Sequence, residues 1–174
     1  MQDIISKARD IRLVIFDVDG VLTDGSLYLD DEGREYKAFN SKDGHGMAML
    51  QRHGVTIAII TGRQSELVRI RMESLGISLV YQGARDKRPA FADLLRTTGL
   101  EPGQIAYVGD DVVDLPVMKD VGLAIAVQDA HDFVKKHAHW ITPSAGGRGA
   151  ARDVCELILD AHGKLQDEFA TYLA

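Results

Sequence analysis

Leu13-Val14-Ile15-Phe16-Asp17-Val18-Asp19-Gly20-Val21-Leu22-Thr23-Asp24 is the stretch on which the fold turns. Its first four residues form a short apolar run of the kind that makes a strand buried on both faces. Two carboxylates, Asp17 and Asp19, follow at its end. In open α/β sheets, ligands bind at the carboxyl ends of strands. Carboxylates placed there can hold a hard cation, and one of them can attack phosphorus. Asp and Gly after a strand also mark plain turns. Taken alone, the run allows both readings.

Working outward, apolar strand patterns alternate with helical ones. Strands are expected near Val55 to Ile60, Ser78 to Tyr81, Ile105 to Val108, Leu123 to Ala126 and His139 to Ile141. Helices are expected near Gly46 to Arg52, Ser65 to Leu75, Arg88 to Thr97, Leu115 to Lys119, Ala130 to Lys136 and Ala150 to Ala161. Gly54, Gly76 and Gly99 stand where helices should end. The alternation predicts an α/β fold, a Rossmann-like, doubly wound and mainly parallel sheet with helices on both faces. One segment breaks it. Ser26 to Leu29 and Glu35 to Phe39 read as two short strands around the turn Asp30-Asp31-Glu32-Gly33-Arg34, a hairpin over about 25–39. A lone hairpin is marginal in water, and this one exposes Tyr28, Leu29, Tyr36 and Phe39. Packing on another subunit would solve both problems.

The bulk numbers narrow the class. The chain has 174 residues, the length of one domain, and a formal net charge of −6. With 26% charged and 45% hydrophobic residues it has an ordinary globular composition. The absence of a Lys/Arg cluster argues against nucleic acid as a partner. A single cysteine, Cys155, excludes an intrachain disulfide and falls in an apolar helical pattern. No apolar signal region opens the sequence, and no apolar stretch approaches membrane-spanning length. No membrane partner and a cytoplasmic location are therefore expected. The tail, 163–174, carries a few apolar residues and reads either as docking on a neighbour's active site or as frayed.

Three further strand ends or helix starts carry polar groups. Thr61-Gly62-Arg63 follows the second strand of the sheet. It offers a hydroxyl, a close backbone approach and the N–H groups of a helix start, all suited to an anion. Lys87 stands at a helix start, where a cation is unusual and suggests an anionic partner. Gly109-Asp110-Asp111-Val112-Val113-Asp114 crowds three carboxylates, which a cation or hydrogen-bond donors must stabilise. Thr N-capping, a solvated lysine and an acidic turn are the bland alternatives. Gly146-Gly147-Arg148-Gly149 either cradles an anion or only starts the last helix. His131, His137 and His139 lack the Cys or acidic partners of a zinc site.

In order, Asp-x-Asp, Thr-Gly-Arg, Lys and Gly-Asp-Asp-x-x-Asp resemble the four motifs of the haloacid dehalogenase-like hydrolase superfamily. The gaps between them leave no room for a cap domain. The segments 20–25, 39–44 and 146–152 look like its capless subgroup, and the resemblance covers nearly the whole chain as a single domain, 1–174. It implies a Mg²⁺-dependent phosphomonoesterase for a small sugar acid phosphate, serving lipopolysaccharide precursor synthesis. The leading substrate is 3-deoxy-D-manno-octulosonate 8-phosphate, with an acylneuraminate 9-phosphate as the alternative. A phospho-acceptor receiver module and a non-catalytic regulatory subunit are the competing classes. It also implies a homotetramer in which hairpins pack together and neighbours cover the active site.

By the same resemblance, Asp17 is the nucleophile and Asp19 the proton donor and acceptor. Asp17, the Asp19 carbonyl and Asp110 are the Mg²⁺ ligands, with Mn²⁺ or Co²⁺ able to substitute. Thr61, Gly62 and Lys87 would bind the phosphoryl group. Asp111 and Asp114 would orient the ligands. Arg63, Arg71, Asn40, Ser41, Lys42, Asp43 and Gly44, beside Asp19 and Lys87, are the residues expected to reach the sugar acid.

Overall fold

The computed structural model describes residues 2–173. Its elements run α1 (Gln2–Arg9), β1 (Leu13–Phe16), β2 (Tyr28–Leu29), β3 (Glu35–Tyr36), α2 (Ser41–Arg52), β4 (Thr56–Ile60), α3 (Glu66–Ser74), β5 (Leu79–Tyr81) and α4 (Arg88–Thr98). There follow β6 (Ile105–Gly109), α5 (Leu115–Met118), β7 (Leu123–Ala126), α6 (Asp132–Lys135), β8 (Trp140–Ile141), α7 (Ala150–Ala161) and α8 (Leu165–Ala170). Six strands pair in the order β5-β4-β1-β6-β7-β8, all parallel. β1 is fully buried because it lies in the middle, with Leu13 opposite both Thr56 and Ile105. The chain builds outward from β1 through β4 to β5, then returns to place β6 on the other side of β1. That reversal opens the crevice in which such sheets bind ligands, between the ends of β1 and β6. α7 packs against both α1 and α2, and α4 packs with α5.

The parallel sheet agrees with the expectation, and so does the hairpin, although β2 and β3 pair over only two residues each. Its strands are shorter than the sequence pattern because no core lies beneath them: Leu29 is 62% exposed and Tyr36 56%. α2 begins at Ser41, five residues before the expected start. The Asn40 side-chain oxygen caps it by accepting from the Lys42 N–H at 2.8 Å. Gly44 and Gly46 argue against a helix by propensity, but Gly46 is where α7 crosses. A Cβ there would lie 3.2 Å from the Arg152 Cα and 3.4 Å from the Cys155 Cβ. The tail is not frayed within the described residues. α8 docks on its own chain, where Glu168 accepts from Arg52, and its other oxygen lies 2.8 Å from His53 Nε2. The His131 ring caps α6, and His139 Nδ1 accepts from the Ala124 N–H at 2.9 Å.

Candidate active site

The four strand-end motifs meet at one place, around a cavity of about 190 Å³ at the carboxyl edge of the sheet. Asp17, Asp19, Thr61, Gly62, Lys87 and Asp110 all line it, with Arg63 and Asp111 at its rim. A larger cleft of about 440 Å³ opens at the opposite edge of the sheet, among Arg9, Arg12, His53, His162 and Lys164. It holds no carboxylate in its lining, and so neither an aspartyl nucleophile nor an acidic ligand for a hard cation.

Asp17 extends β1, its N–H donating to the Val108 carbonyl at 3.1 Å. One carboxylate oxygen accepts from the Val18 N–H at 2.6 Å, and the other is 2.9 Å from Lys87 Nζ. Burial lifts Asp17 to about 6; the Lys87 ammonium opposes the shift and the Asp114 carboxylate adds to it. Lys87 is itself buried. It donates to Asp114 Oδ1 at 2.6 Å and to the Tyr107 hydroxyl at 2.9 Å. Burial works against its charge, but Asp17 and Asp114 outweigh burial and raise its pKa. Asp114 is saturated. Tyr107 donates to its Oδ1 at 2.6 Å, and the N–H groups of Asp110 and Asp111 donate to its Oδ2 at 3.0 and 3.1 Å. Gly109 must lack a side chain, because a Cβ would sit 2.6 Å from the Asp114 Cγ.

Asp110 stands apart. Burial first, then repulsion from Asp114 and Asp17, pushes it up to about 8. Among the described residues no Lys or Arg pairs with it. Oxygens of Asp17, Asp110 and Asp114 lie within 4.8 Å of one another. Three crowded carboxylates with one shared ammonium are short of positive charge, and a hard divalent cation relieves that. The donor set therefore fits Mg²⁺. Asp114 already accepts four hydrogen bonds, which leaves Asp110 and the less heavily engaged Asp17 as the carboxylates with capacity for a cation. Gly20 (φ 90°) lets the loop after β1 close on Asp110; a Cβ there would overlap the Asp110 carboxylate at 2.1 Å.

The glycine-rich segment 146–149 lies against this loop. Gly147 N–H donates to the Val21 carbonyl at 2.8 Å, and a Cβ on Gly146 would fall 1.8 Å from the Gly20 carbonyl oxygen. Of its two open readings, the structure favours the scaffold: the segment buttresses 20–23 and leads into α7.

Asn40, Ser41, Lys42, Asp43, Gly44 and Arg71, expected to reach the sugar acid, stand outside the lining of this cavity. Asn40 is spent as the α2 cap, its amide donating to the Gly147 carbonyl at 3.3 Å. The Asp43 carboxylate turns inward, 2% exposed, and accepts from the Arg152 N–H at 2.9 Å at the start of α7. Burial raises its pKa, and its Oδ2 has no partner. Gly44 packs under Arg71, whose guanidinium lies 5.9 Å from the Phe39 ring centre. Ser41 and Lys42 are exposed on the first turn of α2. None of these lines the 190 Å³ cavity. Asp111 reaches the rim, but its side chain caps the turn Val112–Asp114 by accepting from the Val112 N–H at 2.7 Å.

Two groups escape a reading of the sequence. Tyr107, inside a uniformly apolar strand, sends its hydroxyl into the Lys87–Asp114 pair. Lys37, on the hairpin, forms an ion pair with Asp19 Oδ1. The alternation of Glu35 and Lys37 on one hairpin face was the available signal for the second.

Residues 79–152 match the haloacid dehalogenase-like hydrolase family. Over 165 residues, 95% of this chain and 88% of the relative, the chain is 50% identical to the 3-deoxy-D-manno-octulosonate 8-phosphate phosphatase of Escherichia coli K12. The chain belongs to the 3-deoxy-D-manno-octulosonate 8-phosphate phosphatase family. Another octulosonate phosphatase of this family, from Moraxella catarrhalis, is 41% identical and superposes with a TM-score of 0.97, each chain covered to 99%. Its crystal structure is a complex with a magnesium ion, a phosphate ion and the KDO sugar. The octulosonate phosphatase of Haemophilus influenzae, solved in a cobalt-bound form, is 40% identical with a TM-score of 0.90, covering 94% of this chain and 99% of its own.

Proposed function

We propose that this chain hydrolyses 3-deoxy-D-manno-octulosonate 8-phosphate to the free sugar acid and phosphate through an aspartyl-phosphate on Asp17. The observation that carries this reading is the convergence of Asp17, Thr61, Lys87 and Asp110 on one cavity, in a chain half identical to phosphatases of that substrate. An Asp17 oxygen attacks phosphorus, and the bond from phosphorus to the sugar oxygen breaks. Asp19 gives its proton to the departing oxygen, then takes one from the water that cleaves the aspartyl-phosphate. The Thr61 hydroxyl, the Gly62 N–H and Lys87 hold the phosphoryl oxygens. Lys87, between Asp17 and Asp114, also fixes the nucleophile in place. Asp17, Asp110 and the Asp19 carbonyl would hold Mg²⁺, with Mn²⁺ or Co²⁺ as substitutes. The ion offsets the negative charge that otherwise keeps phosphate from the carboxylate. Arg63, at the rim, suits the sugar carboxylate.

The assembly is read as a homotetramer. Leu27, Tyr28, Leu29 and Tyr36 are each at least half exposed on a hairpin with no core of its own, which favours packing on copies of itself. The reaction belongs to the cytoplasm on this reading, in keeping with one buried free cysteine. No helix of the described residues is long and apolar enough to cross a membrane.

The test is phosphate release from the octulosonate 8-phosphate, an acylneuraminate 9-phosphate and a panel of neutral sugar phosphates, with and without Mg²⁺. Fast, metal-dependent release with preference for the octulosonate is expected. Equal slow release across the panel would remove the substrate, and no release would remove the enzyme.

A further inference from the structure

We propose that Lys37 is the positioning residue for Asp19, so that seating of the hairpin sets the direction of the proton donor. Lys37 follows β3 on a hairpin whose large side chains face solvent, yet its own side chain is 1% exposed. Burying a lysine sacrifices hydration and rotamer freedom, so its partners must offset both. Those partners are Asp19 Oδ1 and Glu35 Oε1, the latter at 3.2 Å. The same Glu35 oxygen is 2.8 Å from Arg63 Nη2, and Arg63 Nε lies 3.9 Å from Asp19 Oδ2. Each oxygen of Asp19 thus faces a cation, and Glu35 ties the two cations together. The four residues come from three segments: the loop after β1, the hairpin and the loop after β4.

Lys37 does not line the 190 Å³ cavity. It therefore acts through Asp19 rather than on the phosphoryl group. When the bond from phosphorus to the sugar oxygen breaks, its electron pair goes to that oxygen, and the Asp19 proton must lie on its path. An unrestrained aspartate divides among several rotamers; Lys37 holds one. This inference rests on the role assigned to Asp19 above.

The experiment compares kcat/KM, which reports the reaction through phosphoryl transfer to Asp17, for two substrates. The octulosonate phosphate has an alkoxide leaving group that needs a proton. The phenolate of 4-nitrophenyl phosphate leaves without one. Asp19→Asn sets the scale and should lose on the order of 10²–10⁴ on the sugar phosphate and far less on the nitrophenyl ester. Lys37→Met should show the same selective pattern, with a loss of roughly 10-fold or more within that range. Lys37→Arg should recover most of it. An equal loss on both substrates, or none on either, overturns the proposal. If Lys37→Met does not fold, Glu35→Gln takes its place: it loosens the second anchor of Lys37, and the same selective loss is required. An Asp19→Asn variant without selectivity would instead overturn the role of Asp19 itself. A selective Asp19→Asn beside an unselective Lys37→Met sinks the inference alone.

Discussion

At the scale of single residues, the site is a problem of charge. Among the described residues Lys87 is the one ammonium paired with Asp17 and Asp114, near Asp110, and its removal takes a preorganised cationic donor from both the phosphoryl group and the nucleophile. Lys87→Ala should lower kcat/KM by about 10²–10³; activity within a few-fold of wild type would refute its role. Asp110 is the complementary case. Its folded pKa of about 8 stands above the ordinary 3.8. A carboxyl shifted upward destabilises the fold as pH climbs from the unfolded value through the folded one, and the whole cost is present above it. In the presence of a chelator, Asp110→Asn should therefore melt above wild type at pH 8, with the difference fading toward pH 4. The same variant should lose metal-dependent turnover. A lower melting temperature at pH 8 would mean that the carboxylate is stabilised by something other than a metal. The four motif residues are legible in sequence because each follows an apolar strand or opens a helix. Tyr107 is not, because nothing in Ile105-Ala106-Tyr107-Val108 distinguishes a core phenol from one that bonds a buried lysine.

At the scale of elements, two contacts carry predictions. Gly146 touches the catalytic loop so closely that a methyl group cannot fit. Gly146→Ala should cost about 1–3 kcal/mol in denaturant unfolding, as overpacked sites do, and should lower kcat even where the protein is fully folded. Unchanged kcat in the folded variant would show that 146–149 does not shape the loop. α8 is fastened by Glu168, which Arg52 chiefly, with His53 and Tyr172, holds down at about 2 against an ordinary 4.5. A depressed carboxyl contributes stability that is complete above the unfolded value and disappears as pH falls through the folded one. The stability gap between wild type and Glu168→Gln, measured in urea, should be full at pH 7 and shrink below about pH 4.5. A gap independent of pH would sink the ionic account. The sheet strands and the helices α2 to α7 are legible from periodicity; α1, α8, the start of α2 and the hairpin lengths are not. The start of α2 depends on the tertiary crossing at Gly46, which overrides glycine's poor helix propensity, and the hairpin lengths on the absence of a core beneath the strands.

At the scale of the whole molecule, the hairpin is the surface left unfinished by one chain. On the proposed homotetramer, wild type should sediment as an oligomer and Leu29→Asp as a monomer with unchanged circular dichroism; a monomeric wild type would sink the proposal, and an unchanged oligomeric mass in the variant would place the interface elsewhere. The doubly wound sheet is legible because the strands recur as apolar runs between amphipathic helices. The contacts that Asn40, Asp43 and Arg71 make within the chain are not legible, because helix capping and packing use the same residue types as ligand binding. The strand order has one more consequence, for biosynthesis. β1 is translated before both of its neighbours, residues 56–60 and 105–109. β1 therefore stays without its second neighbour until residues 105–109 have been translated, and Lys87 waits longer still for Asp114. Such distant pairing is slow and leaves apolar edges open to aggregation. A nascent chain stalled before β6 carries Asp17 and Lys87 but lacks Asp110 and Asp114, so the charge balance of the site is completed only with the second half of the sheet.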